Sequence, residues 1–325
     1  MIAEPQPSFH PAPSRPRLRL PAGACDAHVH VFGPRARFPF AKVRAFTPAD
    51  APKERLFALH ARLGIERCVV VQPLCHGFDN FVTTEAIAAK SGAYCGIALV
   101  PLGVEPTELQ RLDALGFCGV RFNYVRHLGA APSIDKVLAL AGRLAELGWH
   151  LEVQMEPELI GELGPRLKRS PVPVVISHMG RIDASLGLDQ QAFRALLALM
   201  RDRRFWVKVS GAERLTRCET PWAEALPLAR RLVAEFGERV LWGTDWPHAN
   251  LSGPPPDDGR LVDLLGEIAP GEAERQALLV DNPRRLYPFF ERDALSSPGR
   301  DPARFPPPGR ESRASSPAPG AAWRG

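Results

Sequence analysis

Asp26-Ala27-His28-Val29-His30 lies inside a short apolar run over residues 24–32. Side chains of a β-strand alternate between its faces, so residues two apart point the same way. The run reads as a strand that presents Asp26, His28 and His30 together at its end. Two later runs have the same form. Val174-Val175-Ile176-Ser177-His178 brings a third histidine to a strand end, and Val240-Leu241-Trp242-Gly243-Thr244-Asp245 brings a carboxylate. Three histidines and an aspartate from three separate strands are the donors of metal-assisted or general-base hydrolysis.

Working outward, strand-like runs fall at residues 24–32, 67–72, 94–100, 119–123, 150–154, 173–178, 205–211 and 239–246. Segments with helical apolar spacing lie between them, the clearest at 53–63, 84–91, 136–147, 191–201 and 222–236. Strands alternating with helices imply a parallel sheet with crossovers. Eight of them predict closure as an α/β fold of the (β/α)8, TIM-barrel type. The runs are rich in Val and Ile, as strands buried on both faces should be. An open doubly wound sheet is the alternative, but no G-x-G-x-x-G or P-loop pattern follows any strand. The barrel is expected over residues 21–293. Residues 1–20 and 294–325 are rich in Pro, Arg, Gly and Ser and lack apolar periodicity, so both are expected to be disordered tails.

The chain has 325 residues and a net charge of +5, but the charge is carried by the ends, and residues 21–295 are formally neutral. That balance argues against a nucleic-acid partner. No run approaches the roughly 20 apolar residues of a membrane span, and no signal-peptide pattern opens the chain. The six cysteines form no C-x-x-C pair and read as small buried hydrophobes of a reducing, cytoplasmic compartment. Nothing in the sequence fixes the oligomeric state.

Polar residues gather at the C-terminal ends of the predicted strands: His28, His30, Gln72, Arg121, Asn123, Gln154, His178, Ser210 and Asp245. In a barrel this is the catalytic face. Asp245 among histidines suits a base that takes a proton from water. His28, His30 and His178, with Asp245, suit either metal ligation or direct polarisation of a substrate oxygen. Arg121 suits bidentate capture of a substrate carboxylate. Arg214 offers a second clamp or a surface ion pair, and Arg126 and His127 follow the fourth strand. Cys75-His76 could in principle be a nucleophile with its base, but adjacent residues point apart and nothing orients the histidine.

The motifs Asp26-Ala27-His28-Val29-His30, Ser177-His178-Met179-Gly180-Arg181 and Gly243-Thr244-Asp245-Trp246-Pro247-His248 resemble the amidohydrolase superfamily, in its amidohydrolase-related (type 2) branch. Further pieces are similar to the 2-pyrone-4,6-dicarboxylate lactonases within it. These are His28-Val29-His30-Val31-Phe32-Gly33-Pro34, Cys75-His76-Gly77 with Asp79-Asn80, Gly119-Val120-Arg121-Phe122-Asn123, and Asp281-Asn282-Pro283-Arg284-Arg285-Leu286-Tyr287. The resemblance spans roughly residues 20–290 in order.

It implies a distorted (β/α)8 barrel that opens a small carboxylate-bearing lactone. Asp245 is then the general base, with His28, His30 and His178 around the scissile carbonyl. Arg121, Arg214 and Asn250 match pocket positions, and Asn123, Gln154 and His127 complete the expected substrate-binding set. The lactonase group works without a metal, whereas many superfamily members hold a divalent ion such as Zn or Mn with these residues. The chain departs from the group at four pocket positions. The group would place an arginine at His127, tyrosines at Gln154 and Phe46, and a serine at Leu74. One arginine fewer implies one carboxylate fewer on the substrate, or one placed differently. Two other readings compete: a metal-dependent decarboxylase or hydratase of an aromatic or muconate-type acid, and a non-catalytic barrel that binds a small acid.

Overall fold

A computed structural model describes residues 8–90, 92–216, 222–251 and 253–289. Eight strands form one parallel sheet in the order of the chain. They are β1 (Cys25–Val29), β2 (Arg67–Val71), β3 (Tyr94–Ala98), β4 (Phe117–Tyr124), β5 (His150–Met155), β6 (Val174–Ile176), β7 (Phe205–Lys208) and β8 (Val240–Leu241). Each strand feeds a segment that returns over the outside, so both faces are covered. In β2, Cys68 and Val70 pack outward in one apolar cluster, while Val69 and Val71 pack inward in another with Ala27, Ile97, Val175 and Leu241. This is the expected barrel, filled by side chains rather than hollow.

Its seam lies between the first strand and the last. Ala27 N donates to Trp242 O (2.8 Å), Asp245 N to His28 O (2.9 Å) and His30 N to Trp246 O (2.7 Å). The two backbones come so close that a Cβ on Gly243 would lie 2.6 Å from His28 N. Asp26 bridges the same seam, accepting from Thr244 N at 3.0 Å and Thr244 Oγ1 at 2.6 Å.

The helices follow their apolar spacing. α1 (Lys53–Leu63) buries Leu56, Leu59 and Leu63. α2 (Phe81–Ala88) and α3 (Pro106–Ala114) follow β2 and β3. α4 (Ile134–Glu146) buries Ile134, Val137, Leu140, Ala141 and Leu144, a stripe at helical period. α5 (Ile160–Leu167), α6 (Gln191–Met200), α7 (Ala212–Leu215), α8 (Leu226–Phe236) and α9 (Asp258–Asp263) complete the elements that bear on the site. α2 starts three residues before the helix expected over 84–91, because Asp79 Oδ1 accepts from Phe81 N (3.1 Å) and turns the chain there. α8 starts later than residue 222, with Pro227 in its first turn, where a missing N–H is harmless.

Three other expectations are adjusted. β6 ends at Ile176 because His178, Met179, Gly180 and Arg181 all take positive φ (50°, 51°, 66° and 55°). The run expected as a strand over 239–246 is regular only at Val240–Leu241, and positive φ at Asp245 (65°) bends the remainder across the barrel mouth. Residues 8–20, expected within a solvated tail, lie against the barrel. Asp257 Oδ1 accepts from Ser14 N (2.9 Å), Asp263 Oδ1 accepts from Arg17 N and Leu18 N (2.7 and 3.0 Å), and Phe9 packs on Trp246 at 5.5 Å between ring centroids. Residues 1–7 and all of the tail expected over 294–325 lie outside the described residues, as does Cys218. Cys25, Cys68, Cys75, Cys95 and Cys118 are buried free thiols. No helix among the described residues is long and apolar enough to cross a membrane.

Candidate active site

The strand ends open into one cleft, lined by His30, Arg121, His127, Gln154, His178, Arg214, Asp245 and Asn250 among the expected residues. Phe46 and Leu74, two of the four departing positions, line it too. His28 lies fully buried beneath the cleft. Asn123 stands beside it and accepts from Arg121 Nε at 3.1 Å. Arg126 is exposed and does not line the cleft.

Asp245 is the centre. Its Oδ1 lies 3.6 Å from His28 Nε2, 3.7 Å from His30 Nε2 and 3.6 Å from His178 Nε2. Its Oδ2 accepts from Arg214 Nε, and Arg214 Nη2 donates to Ala249 O at 3.0 Å. Arg214 is thus no surface ion pair. Burial alone would push the Asp245 carboxyl up, but the Arg214 guanidinium and the three imidazoles outweigh it and hold the group well below the usual carboxylate range. The histidines move the other way. Burial takes His178 down to about 3, with Asp245 opposing and Arg214 and Arg121 adding to the fall. Burial and then Arg121 take His30 down to about 4. Burial, then the Lys208 ammonium, holds His28 well below its ordinary value. At neutral pH the site is one carboxylate among three neutral imidazoles.

Each imidazole is held by its other nitrogen. His30 Nδ1 donates to Val71 O at 2.7 Å, which leaves a lone pair on Nε2. His178 Nδ1 lies 2.9 Å from Ser210 Oγ, and its ring fills the space a Cβ on Gly211 would need. His28 Nδ1 lies 3.1 Å from Lys208 Nζ. His28 and His30 converge as period two demands. Asp26 does not join them: β1 slips register between Asp26 and Val29, and the bulge turns Asp26 toward Thr244 and His60.

Ring nitrogens of His28 and His178 and a carboxylate oxygen of Asp245 lie within 4.8 Å of one another, the donor set a divalent ion would use. His28 Nδ1 has two polar neighbours, Lys208 Nζ at 3.1 Å, which only donates, and Glu152 Oε1 at 3.3 Å, which only accepts. His28 could ligate through Nε2 only with its hydrogen on Nδ1, facing Glu152.

Opposite Asp245 the cleft is cationic. Arg121 Nη2 donates to Gln154 Oε1, which with Asn123 fixes the guanidinium plane. Arg181 also lines the cleft, and its buried Nε has no hydrogen-bond partner among the described residues, with the Glu156 Oε2 carboxylate oxygen 3.8 Å away. Sequence reasoning missed Arg181. Only its place in the His178 motif pointed to it, because the left-handed turn that swings it back is invisible to strand periodicity. Lys208 and Glu152 were missed as well.

Four other residues serve structure. Gln72 Oε1 accepts from Thr83 Oγ1 (2.6 Å). Cys75 is buried with its thiol pushed up to about 12, while His76 Nδ1 donates to Pro39 O (3.2 Å), so this pair is no nucleophile and base. His248 turns away from Asp245, with its ring nitrogens 3.2 Å from Glu213 Oε1 and 3.0 Å from Asp258 Oδ1.

The amidohydrolase family profile matches residues 25–289, the whole barrel with every residue of this cleft. The chain belongs to the amidohydrolase family. Its sequence is 46% identical over 284 residues to a 2-pyrone-4,6-dicarboxylate hydrolase of Comamonas testosteroni, covering 85% of this chain and 93% of that protein. It is 38% identical over 277 residues to a 4-sulfomuconolactone hydrolase of Hydrogenophaga intermedia, covering 83% and 90%. A solved structure from Pseudomonas putida, described as a 2-pyrone-4,6-dicarboxylic acid hydrolase, superposes with a TM-score of 0.73 at 33% identity, covering 83% of this amidohydrolase and 99% of that chain.

Proposed function

We propose that this amidohydrolase opens a small carboxylate-bearing lactone of the 2-pyrone-4,6-dicarboxylate kind by general-base activation of water. The observation that carries the reading is the ionised Asp245 carboxylate among three neutral histidines, facing a wall of guanidinium groups. Both curated relatives above are lactone hydrolases by name.

The chemistry follows from where charge develops. Water attacks the lactone carbonyl as Asp245 takes its proton. The lone pair on His30 Nε2 orients that water by accepting its second hydrogen. The former carbonyl oxygen becomes an oxyanion, and the Nε2–H of His28, with His178, donates to it. The protonated Asp245 then returns the proton to the ring oxygen as the C–O bond breaks. Arg121, Arg181 and Arg214, with His127, Gln154 and Asn250, hold the carboxylates and fix the ring against the base.

No step requires a metal, and the Lys208 ammonium 3.1 Å from His28 Nδ1 favours a hydrogen on Nε2, which weighs against the metal-dependent decarboxylase or hydratase reading. The five buried free thiols support a reducing, cytoplasmic setting. The partner this reading requires is a small acid rather than nucleic acid or membrane.

The test follows the ultraviolet absorbance of 2-pyrone-4,6-dicarboxylate with chelator-treated protein whose metal content has been measured. Loss of the pyrone signal at a rate unmoved by Zn or Mn is the expected result. Turnover that appears only with added metal, or CO2 release in its place, would overturn it.

A further inference from the structure

Lys208 ends β7 with its side chain inside the barrel and fully buried. Its Nζ lies 2.6 Å from Glu152 Oε2 and 3.1 Å from His28 Nδ1. Glu152, on β5, is equally buried, and its Oε1 accepts from the Ser177 hydroxyl at 2.8 Å. β1, β5, β7 and the turn after β6 thus contribute one polar layer directly beneath Asp245. Buried charges in an apolar core are costly even when paired, so a lysine here calls for a reason.

The reason lies in which nitrogen of His28 carries hydrogen. Nδ1 lies 3.1 Å from Lys208 Nζ and 3.3 Å from Glu152 Oε1. An ammonium has three donors and no lone pair, so when Nδ1 engages this nearer neighbour it accepts. A neutral imidazole has one N–H, which is left on Nε2. That atom is buried, has no hydrogen-bond partner among the described residues and lies beside Asp245, 3.6 Å from its Oδ1. His30, two residues on, is set the opposite way by Val71 O. One motif therefore supplies one fixed donor and one fixed acceptor.

We propose that Lys208 is a positioning residue: it locks His28 as an Nε2–H donor to the lactone carbonyl oxygen, with Glu152 and Ser177 holding the ammonium in line. Lys208 never touches substrate and acts only through the imidazole. The kinetic part rests on the lactonase reading, whereas the tautomer does not.

The experiment is two-bond ¹H–¹⁵N correlation of histidine side chains in the metal-free, full-length protein at neutral pH, with His28 assigned by its loss in His28→Asn. The expected spectrum shows protonated Nε2 and bare Nδ1 for His28. A hydrogen on Nδ1 would overturn the proposal. In Lys208→Met the remaining polar neighbour of Nδ1 is Glu152 Oε1 at 3.3 Å, an acceptor, so the hydrogen moves to Nδ1. With it, kcat for 2-pyrone-4,6-dicarboxylate falls by about 10²–10³-fold, the usual cost of one oxyanion donor, while KM changes far less. An unchanged His28 tautomer in that variant sinks the idea.

Should Lys208→Met fail to fold, Glu152→Gln keeps the ammonium beside Nδ1 and must keep the Nε2–H; its loss would assign the control to Glu152 instead. A wild-type protein inert toward the pyrone would defeat the functional reading, and the spectrum would still judge the role of Lys208.

Discussion

Two carboxylate–histidine clusters lie three residues apart in this chain, both buried, with opposite protonation. Around Asp245, one carboxylate faces three imidazoles and three guanidinium groups, and the histidines are driven down to about 3 at His178 and about 4 at His30. Around His248, one imidazole sits between Glu213 and Asp258, and these carboxylates overcome burial to raise it to about 10. Burial disfavours charge in both places, so the local count of opposite charges decides the outcome. The first cluster keeps a reactive anion beside neutral rings. The second makes an imidazolium clamp between α7, which carries Arg214, and α9.

The largest effect expected is on the anion itself. Asp245→Asn keeps the shape and removes the base, so kcat should fall by about 10³-fold with KM little changed. Near-normal turnover would exclude Asp245 as the base. Next, Arg214→Met removes the cation that keeps Asp245 ionised. The loss of a buried charge pair is worth about 2 kcal/mol, roughly thirtyfold in kcat/KM. The acid limb of the pH–rate profile should also move up. In the wild type that limb should lie near or below pH 4, where His30 and His178 take up protons. A limb that stays put in Arg214→Met would break the charge-count argument.

The second cluster is tested by stability. A folded pKa of about 10 at His248, against 6.5 unfolded, contributes stability that is full below pH 6.5 and lost as pH rises through 10. His248→Gln should therefore cost about 3 kcal/mol near pH 6, with the gap closing toward pH 10 in denaturant titrations. The lowered histidines act in reverse: as pH falls from 6.5 toward 4 the unfolded chain gains their protons first, and stability drops. The smallest change expected is at Asp257→Ala. This residue caps α9, which aims Asp258, by accepting from Gly259 N at 2.9 Å, and the loss should be about 1 kcal/mol in thermal unfolding.

The order of the barrel was legible because apolar strand runs and helical spacing alternate along the whole chain. His28, His30, His178 and Asp245 were legible because each ends such a run. Asp26 misled because a bulge adds a residue that period two cannot anticipate. Arg181 escaped because consecutive positive φ angles leave no pattern in residue type. Lys208 and Glu152 escaped for another reason: a charged residue in a strand ordinarily reads as solvent-facing, and only the closed barrel shows that each has the other. The packing of residues 8–20 depends on Asp257 and Asp263, some 240 positions away, and no local signal announces it.

The seam between β1 and β8 has one more consequence. His28 comes from the first strand and Asp245 from beyond the last, so the proposed donor and base are brought together by the same hydrogen bonds that close the barrel. A chain that has released only seven strands carries His28, His30, His178 and the arginines but lacks Asp245, the proposed base. If Asp245 is the base, as proposed, hydrolysis waits for the eighth strand to dock, and turnover itself would report that the barrel has closed.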